Sequence, residues 1–176
     1  MADKLIIDWK EYNLIVEKLA IQIYQSGFKP NMLIGIMRGG APIIDVLSRI
    51  FKLKCAYLAV ESYSGKGIEN QQGELVFSRE MSSTIQEVGG NLLLCDDLSD
   101  TGVTLNKSID WLKNYPPLKG NIKNIKTAVL WKKKESSFEP DYCAQKLHTN
   151  PWIVQPFEKY EEVRIEDLIK KHTKDI

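Results

Sequence analysis

The hydrophobic pattern at the start of the chain predicts a helix followed by a short strand. Residues 8–11, Asp-Trp-Lys-Glu, form a capping box that is typical of a helix N-terminus. The apolar residues that then fall on one helical face are Tyr12, Ile15, Val16, Leu19 and Ile23. Gly27 is a plausible stop for this helix, and the apolar run at 32–36 has the length of a strand.

The same alternation continues along the rest of the chain. Further strands are predicted at 55–61, 91–95, 127–131 and 142–147, and further helices at 41–51, 103–114 and 165–172. Strands that alternate with helices predict an α/β fold, with a parallel sheet and helices on both faces. Ligands of such folds bind beyond the carboxyl ends of the strands, which is where candidate chemistry is expected.

One long segment, residues 62–90, interrupts the alternation. It is polar and contains Gly65, Gly67, Gly73, Gly89 and Gly90. Its short apolar piece at 75–77 could form an edge strand. So long a polar insertion in a compact domain is either disordered or a functional loop.

Composition narrows the class of protein without identifying it. The chain has 176 residues, 43% of them hydrophobic, which suits one globular domain. Its net charge of +1 gives no support to a nucleic-acid partner that needs a strongly basic surface. We find no apolar run long enough to span a membrane and no signal-peptide pattern, and expect a cytoplasmic protein. Cys55, Cys95 and Cys143 lack metal or disulfide spacing and are expected to be reduced.

The most informative segment is the apolar run 92–95 and the two acids that follow it, Asp96 and Asp97. Adjacent carboxylates repel each other, so a compensating group is expected at this strand end. A sugar diol or a divalent cation could fill that role, since Mg²⁺ takes few carboxylates and keeps its waters.

The turn after these acids has the composition of a phosphate site. Asp100, Thr101, Gly102 and Thr104 surround the predicted start of a helix, where backbone N–H groups bind anions. Carboxylates one turn away from a phosphate site suit a ribose 5-phosphate. The alternatives are that Asp100 or Thr101 only caps the helix, or that the acids form the pocket of a receiver domain.

Residues 92–104 resemble the phosphoribosyl pyrophosphate motif of the type I phosphoribosyltransferases, and the resemblance extends over about 33–158. It implies a parallel twisted sheet flanked by helices, with a small C-terminal hood. It also implies that Asp96 and Asp97 hold the ribose diol and the shell of a Mg²⁺ ion. Thr101, Gly102 and Thr104 would bind the 5-phosphate, and Asp100 would be the catalytic base for the purine N7 proton.

Two further segments resemble the parts of that family that bind pyrophosphate. Arg38 and Gly39, in the Gly-Ile-Met-Arg-Gly-Gly run 35–40, correspond to the pyrophosphate loop, where a non-proline cis peptide is common in the family. The alternative is an ordinary strand-to-helix turn. Ser62 and Tyr63 resemble the start of a catalytic loop that closes over the site, and Arg79 would reach pyrophosphate from this loop or be a solvated surface residue.

The base-binding residues implied by the resemblance lie after the later strands. Lys132, just past a strand, corresponds to the lysine that donates to the 6-oxygen of a purine. Trp152 and Ile153 resemble the hood that covers the base in bacterial xanthine–guanine enzymes. The Tyr142–Trp152 spacing is one residue longer here, which leaves the use of xanthine open.

The resemblance as a whole implies a purine salvage enzyme. It would transfer a phosphoribosyl group from phosphoribosyl pyrophosphate to hypoxanthine, guanine or xanthine, as a homodimer or homotetramer. We expect one domain with a core at 30–135, the loop at 62–90, and a hood at 140–160 plus the N-terminal segment. The alternatives are a non-catalytic regulator that binds phosphoribosyl pyrophosphate, and an enzyme for another base.

Overall fold

A computed structural model of the chain describes residues 3–62, 75–83 and 89–173. The helices in these ranges are α1 (Trp9–Gln25), α2 (Gly40–Phe51), α3 (Val103–Asn114) and α4 (Ile165–His172), with a 3₁₀ turn at Glu158–Tyr160. The strands are β1 (Lys4–Ile6), β2 (Met32–Met37), β3 (Cys55–Ser62), β4 (Leu75–Phe77), β5 (Ser82–Ser83), β6 (Gly90–Ser99), β7 (Ile122–Lys132), β8 (Tyr142–Lys146) and β9 (Trp152–Val154).

The main sheet has the order β4-β3-β2-β6-β7-β8, and β5 also pairs with β3. Strands β3, β2, β6, β7 and β8 are parallel, whereas β4 and β5 run antiparallel to β3. The predicted fold class, a parallel sheet flanked by helices, is therefore confirmed. Because β2, β6 and β7 are neighbours and parallel, the residues that follow them lie at one edge of the sheet.

The predicted apolar patterns form the core. All five residues assigned to one face of α1 are buried. A hydrophobic cluster joins the central strands, with Ile34 of β2, Leu58 of β3, Leu94 of β6 and Val129 of β7 all fully or almost fully buried. This packing fixes the strand ends on which the candidate site residues lie.

Two strands of the main sheet are longer than predicted. β6 continues past Cys95 to Ser99, because its backbone stays paired with β7 as far as Ser99 opposite Lys132. β7 begins at Ile122, where the half-buried Ile122 and Ile125 are separated by two polar residues, so neither a strand period nor a continuous apolar run reveals this part of the strand.

The chain forms two compact units, residues 15–150 in one and residues 1–14 with 151–176 in the other. In the second unit β1 pairs in parallel with β9, Lys4 opposite Trp152. The sequence predicted neither strand, and three-residue strands are too short to show a period. β8, at Tyr142–Lys146, corresponds to the strand predicted at 142–147; it lies within the segment assigned to the hood and pairs with β7 in the main sheet. The organisation of the chain as one domain stays a prediction.

Other features of the sequence can be located directly. The thiols of Cys55, Cys95 and Cys143 are all free. Within 3–62, 75–83 and 89–173, every helix is too short or too polar to cross a membrane. The predicted edge strand at 75–77 is present as β4. Tyr63 and most of the predicted closing loop, 63–74 and 84–88, lie outside the described residues.

Candidate active site

The carboxyl end of β6 carries two acidic side chains in different surroundings. Asp96 is buried, with 8% of its surface exposed, whereas Asp97 is half-buried. The Asp97 N–H donates to Asp96 Oδ1 at 3.0 Å. Burial raises the pKa of the Asp96 carboxyl well above its usual range, and the neighbouring charge of Asp97 raises it further. This strand end therefore favours a ligand that can neutralise negative charge or donate hydrogen bonds.

The loop after β2 lies directly against this acidic strand end. A Cβ atom at Gly39 would overlap the carboxyl group of Asp97, and one at Gly40 would overlap the carbonyl oxygen of Cys95. Both glycines are therefore needed for close approach of the two strand ends. The structure thus brings together the two segments predicted to hold pyrophosphate and ribose.

Arg38 lies on the open side of the same loop. Its side chain is exposed, and the peptide bond between Met37 and Arg38 is cis, which confirms that prediction. A cleft of about 480 Å³ opens here, lined by Met37, Arg38, Ala59, Val60 and Glu61. The cleft is thus formed by the carboxyl ends of β2 and β3, with a guanidinium group at its wall.

The turn between β6 and α3 depends on Gly102. Its φ is +88°, a left-handed conformation that disfavours other residues, and an added Cβ would overlap Phe138. Thr101 Oγ1 accepts from the Val103 N–H at 3.4 Å, a long bond that is consistent with weak capping of the helix. Thr104 lies half-buried in the first turn of α3. The turn thus presents two hydroxyls beside a helix N-terminus.

A segment that the sequence did not reveal, residues 133–138, braces this turn; we call it the support segment. The Lys133 N–H donates to the Ser99 carbonyl at 3.0 Å. The Ser137 N–H and Oγ donate to the Thr101 carbonyl at 3.2 and 3.0 Å. The Ser99 and Ser136 hydroxyls are hydrogen-bonded at 2.7 Å in a buried position. The turn is therefore held by hydrogen bonds on both sides of Asp100, at Ser99 and at Thr101.

The lysines at the end of β7 make ion pairs with different carboxylates. Lys132 Nζ lies 3.4 Å from Glu139 Oε2, and Lys146 also contacts Glu139. Lys133 Nζ lies 3.1 Å from Asp100 Oδ1. The hydrogen bond from Lys146, with a smaller contribution from Lys132, lowers the pKa of the Glu139 carboxyl. Glu139 and Lys133 carried no motif, and only their position in space indicates a role.

Three further predicted site residues belong to other elements of the fold. Arg79 is exposed and follows β4, where the preceding Ser78 N–H donates to the Ala59 carbonyl at 2.9 Å. Its predicted contact with pyrophosphate stays a prediction. Trp152 and Ile153 belong to β9 in the other compact unit; Trp152 is 59% exposed and Ile153 is buried. An exposed indole face is suited to stacking on a planar ligand.

The carboxylates of β6 can be compared with what a magnesium ion needs. Within the described ranges, no three His, Cys, Asp or Glu side chains converge as a metal cage. Mg²⁺, however, commonly binds through one or two carboxylates together with water and substrate phosphates. Asp96 and Asp97, two carboxyl groups beside a loop suited to phosphate, fit an ion that arrives with its substrate.

Comparison with known proteins agrees with this arrangement. Residues 6–162 match the family described as the phosphoribosyl transferase domain. A hypoxanthine-guanine phosphoribosyltransferase of Aquifex aeolicus is 29% identical over 136 residues, covering 75% of this chain and 71% of that protein. A purine phosphoribosyltransferase of Pyrococcus horikoshii superposes with a TM-score of 0.70 at 28% identity, covering 88% and 93% of the two chains. The fold is shared with the xanthine-guanine-hypoxanthine phosphoribosyltransferase of Helicobacter pylori, at a TM-score of 0.71 and 20% identity over 95% and 99% of the chains.

Proposed function

This chain belongs to the phosphoribosyltransferase family, and from that premise we propose that it is a purine salvage enzyme. It transfers the 5-phosphoribosyl group of phosphoribosyl pyrophosphate to N9 of a 6-oxopurine. Hypoxanthine then gives IMP and guanine gives GMP, with pyrophosphate as the second product. Xanthine is the third candidate base.

The observation that carries this proposal is the meeting of three strand ends. Asp97 of β6 lies against Gly39 after β2, and Lys133 after β7 pairs with Asp100. A diol-binding pair of acids, a phosphate turn and a pyrophosphate loop therefore share one edge of the sheet. Their order matches the order of groups in phosphoribosyl pyrophosphate, which has a ribose between a 5-phosphate and a pyrophosphate.

The residues of this edge support the following chemistry. Purine N9 forms a bond to the anomeric carbon of ribose as the bond from that carbon to pyrophosphate breaks, and the pyrophosphate keeps the bonding electrons. The proton on purine N7 passes to the carboxylate of Asp100. Arg38 and backbone N–H groups near Gly39 stabilise the charge that develops on pyrophosphate. Thr101, Gly102 and Thr104 hold the 5-phosphate.

The carboxylate oxygens of Asp96 and Asp97 can accept hydrogen bonds from the ribose hydroxyls and from the water molecules around a Mg²⁺ ion. When bound, the ion would supply positive charge close to the pyrophosphate leaving group. These two acids thus bind and orient, whereas Asp100 accepts a proton. Arg79 is proposed as a further contact to pyrophosphate.

The choice of base is assigned to Lys132. An ammonium group only donates hydrogen bonds, so it suits the 6-oxygen of hypoxanthine or guanine and not the 6-amino group of adenine. Trp152 and Ile153 are proposed, from the family resemblance, to cover the face of the base. Stacking on an indole does not discriminate among purines, which leaves discrimination to the edge contact.

A side-by-side assay tests the proposal. The purified protein is given phosphoribosyl pyrophosphate and Mg²⁺ with hypoxanthine, guanine, xanthine or adenine, and nucleotide formation is measured. We expect turnover with hypoxanthine and guanine and little with adenine. Binding of phosphoribosyl pyrophosphate without turnover of any purine would support the regulator instead. Efficient use of adenine would show that Lys132 does not select the base.

Cytoplasmic location, expected from the sequence pattern, and assembly as a homodimer or homotetramer, implied by the family resemblance, both stay predictions. Light scattering of the purified protein would measure its assembly. A monomer that turns over at the full rate would contradict that prediction.

A further inference from the structure

The two adjacent lysines after β7 reach different carboxylates. Lys132 pairs with Glu139 at 3.4 Å, and Lys133 pairs with Asp100 at 3.1 Å. The family resemblance assigns a purine contact to Lys132 and assigns nothing to Lys133. The pairing of Lys133 with the residue proposed as the catalytic base therefore calls for a separate explanation.

The exposure of the two partners shows which side of the pair is open. The side chain of Lys133 is only 11% exposed, whereas that of Asp100 is 61% exposed. An ammonium removed from water needs a counter-charge, and Asp100 supplies it. Asp100, in contrast, can meet a ligand from solvent while Lys133 holds one of its oxygens. The lysine thus lies behind the carboxylate and not in the path of the substrate.

The backbone around both partners is fixed. The Lys133 N–H donates to the carbonyl of Ser99, which directly precedes Asp100. The Lys133 carbonyl accepts a hydrogen bond from the Ser136 N–H at 3.1 Å. On the other side of Asp100, the Thr101 carbonyl accepts two hydrogen bonds from Ser137. The distance between the ammonium and the carboxylate therefore depends on side-chain torsions and little on movement of the turn.

From these contacts and on the basis of the proposed function, we infer that Lys133 is a positioning residue for Asp100. It holds the carboxylate in one orientation, facing the purine proton, through the 3.1 Å ion pair. Lys132 contacts the 6-oxygen of the purine, and Lys133 orients the carboxylate that accepts the purine proton. Two adjacent lysines thus have different functions.

The test separates these roles with matched substitutions. Lys133→Met keeps the length of the side chain and removes its charge; we expect kcat to fall about tenfold or more while the KM for hypoxanthine changes less than about twofold. Lys133→Arg keeps the charge and a donor and should recover part of the lost kcat. Lys134→Met, at an exposed neighbour, is the control and should match the wild type.

A double-mutant cycle shows whether Lys133 acts through Asp100. In an Asp100→Asn background, Lys133→Met should cause little further loss of kcat, since the aligned base is already absent. Equal losses in both backgrounds would overturn the inference, as would wild-type kcat in Lys133→Met. A wild type without phosphoribosyl transfer would instead overturn the proposed function. If Lys133→Met fails to fold, the comparison of Lys133→Arg with wild type in both Asp100 backgrounds decides the question.

Discussion

The two ends of the candidate site are built in different ways. The sugar-phosphate end, from Asp96 to Thr104, is fixed by a buried carboxylate, by Gly102 at positive φ and by hydrogen bonds from the support segment. The base end consists of the long side chain of Lys132, paired with the 62%-exposed Glu139. One end is held by backbone and close packing, and the other by an ion pair between a mostly buried lysine, 16% exposed, and an exposed carboxylate.

This difference indicates how binding and selectivity are divided. A rigid phosphate turn can hold the common substrate in one geometry, because its groups lose little freedom when the ligand binds. A lysine on a flexible stem can adjust to several 6-oxopurines. Substitutions at the sugar-phosphate end should therefore lower turnover or the affinity for phosphoribosyl pyrophosphate with every purine, whereas those at the base end should alter the preference among purines.

The largest effect is expected at Asp100. Asp100→Asn keeps the shape of the side chain and removes the proton acceptor, so kcat should fall by roughly a hundredfold or more. Steady-state kinetics with hypoxanthine measures this, and calorimetry with IMP checks that nucleotide binding persists. Turnover near the wild-type rate would remove Asp100 from the mechanism and weaken the contrast between the two ends.

Asp96 should show opposite effects on binding and on stability. Asp96→Asn removes a buried ionisable carboxyl group but keeps an oxygen that can accept a hydrogen bond from the Asp97 N–H. We expect the affinity for phosphoribosyl pyrophosphate with Mg²⁺ to fall about tenfold, a loss within the usual range for a charged hydrogen bond. The melting temperature of the ligand-free protein should rise, by roughly 2–4 °C for each kcal/mol gained.

The sign of the stability change follows from the raised pKa of Asp96. The folded protein binds this proton more tightly than the unfolded chain does, so stability falls as pH rises from the ordinary range of an aspartate through the raised pKa. Asp96→Asn should flatten that part of the stability profile. An unchanged melting temperature and an unchanged pH profile would show that the buried carboxylate is already compensated in the free protein.

At the base end, Lys132→Gln should alter the preference among purines. A glutamine amide can accept as well as donate, so the ratio of kcat/KM for hypoxanthine to that for adenine should fall about tenfold. An unsatisfied buried group costs about 1–3 kcal/mol, which corresponds to a change of this order. If the ratio stays at the wild-type value, Lys132 does not contact the purine edge.

The smallest effect is expected for Glu139→Gln, which removes the partner of Lys132. Because the carboxylate of this pair is exposed to solvent, the pair is expected to contribute about 0.2–1 kcal/mol, so the KM for hypoxanthine should change by less than about fivefold. Competition between Glu139 and the purine for the ammonium predicts a lower KM. A hundredfold rise would show that Glu139 belongs to the fixed part of the site.

The residues of the sugar-phosphate end were easier to identify from the sequence than the residues around the base end. The run 92–104 contains the acids, the turn and the helix start in one stretch, so their place at a strand end followed from the sequence pattern, and the roles proposed for them come from the family resemblance. Lys133 could not be assigned, because it stands in a run of three lysines and its partner Asp100 is distant in sequence. Glu139 could not be assigned, because no motif marks it and its partner Lys132 belongs to the same run. The support segment escaped prediction since Ser136 and Ser137 read as an ordinary polar loop.

The fold shows the same limit. Helix α1 and strand β2 followed from periodicity, whereas the strands Lys4–Ile6 and Trp152–Val154 did not. Each is three residues long, and each is stabilised by a partner at the far end of the sequence. Local propensity carries no information about such a pairing.

The pairing of β1 with β9 constrains the order in which parts of the protein can fold during synthesis. Because Lys4 pairs with Trp152, the small sheet cannot form on the ribosome until all the intervening residues have been synthesised. In refolding, closing a loop of this length costs entropy before the contact is gained, which slows formation of such a pairing. The residues proposed for phosphoribosyl pyrophosphate would therefore be in place first. The strand that carries Trp152 would be completed last, so a chain that ends early would keep those residues and lack this strand.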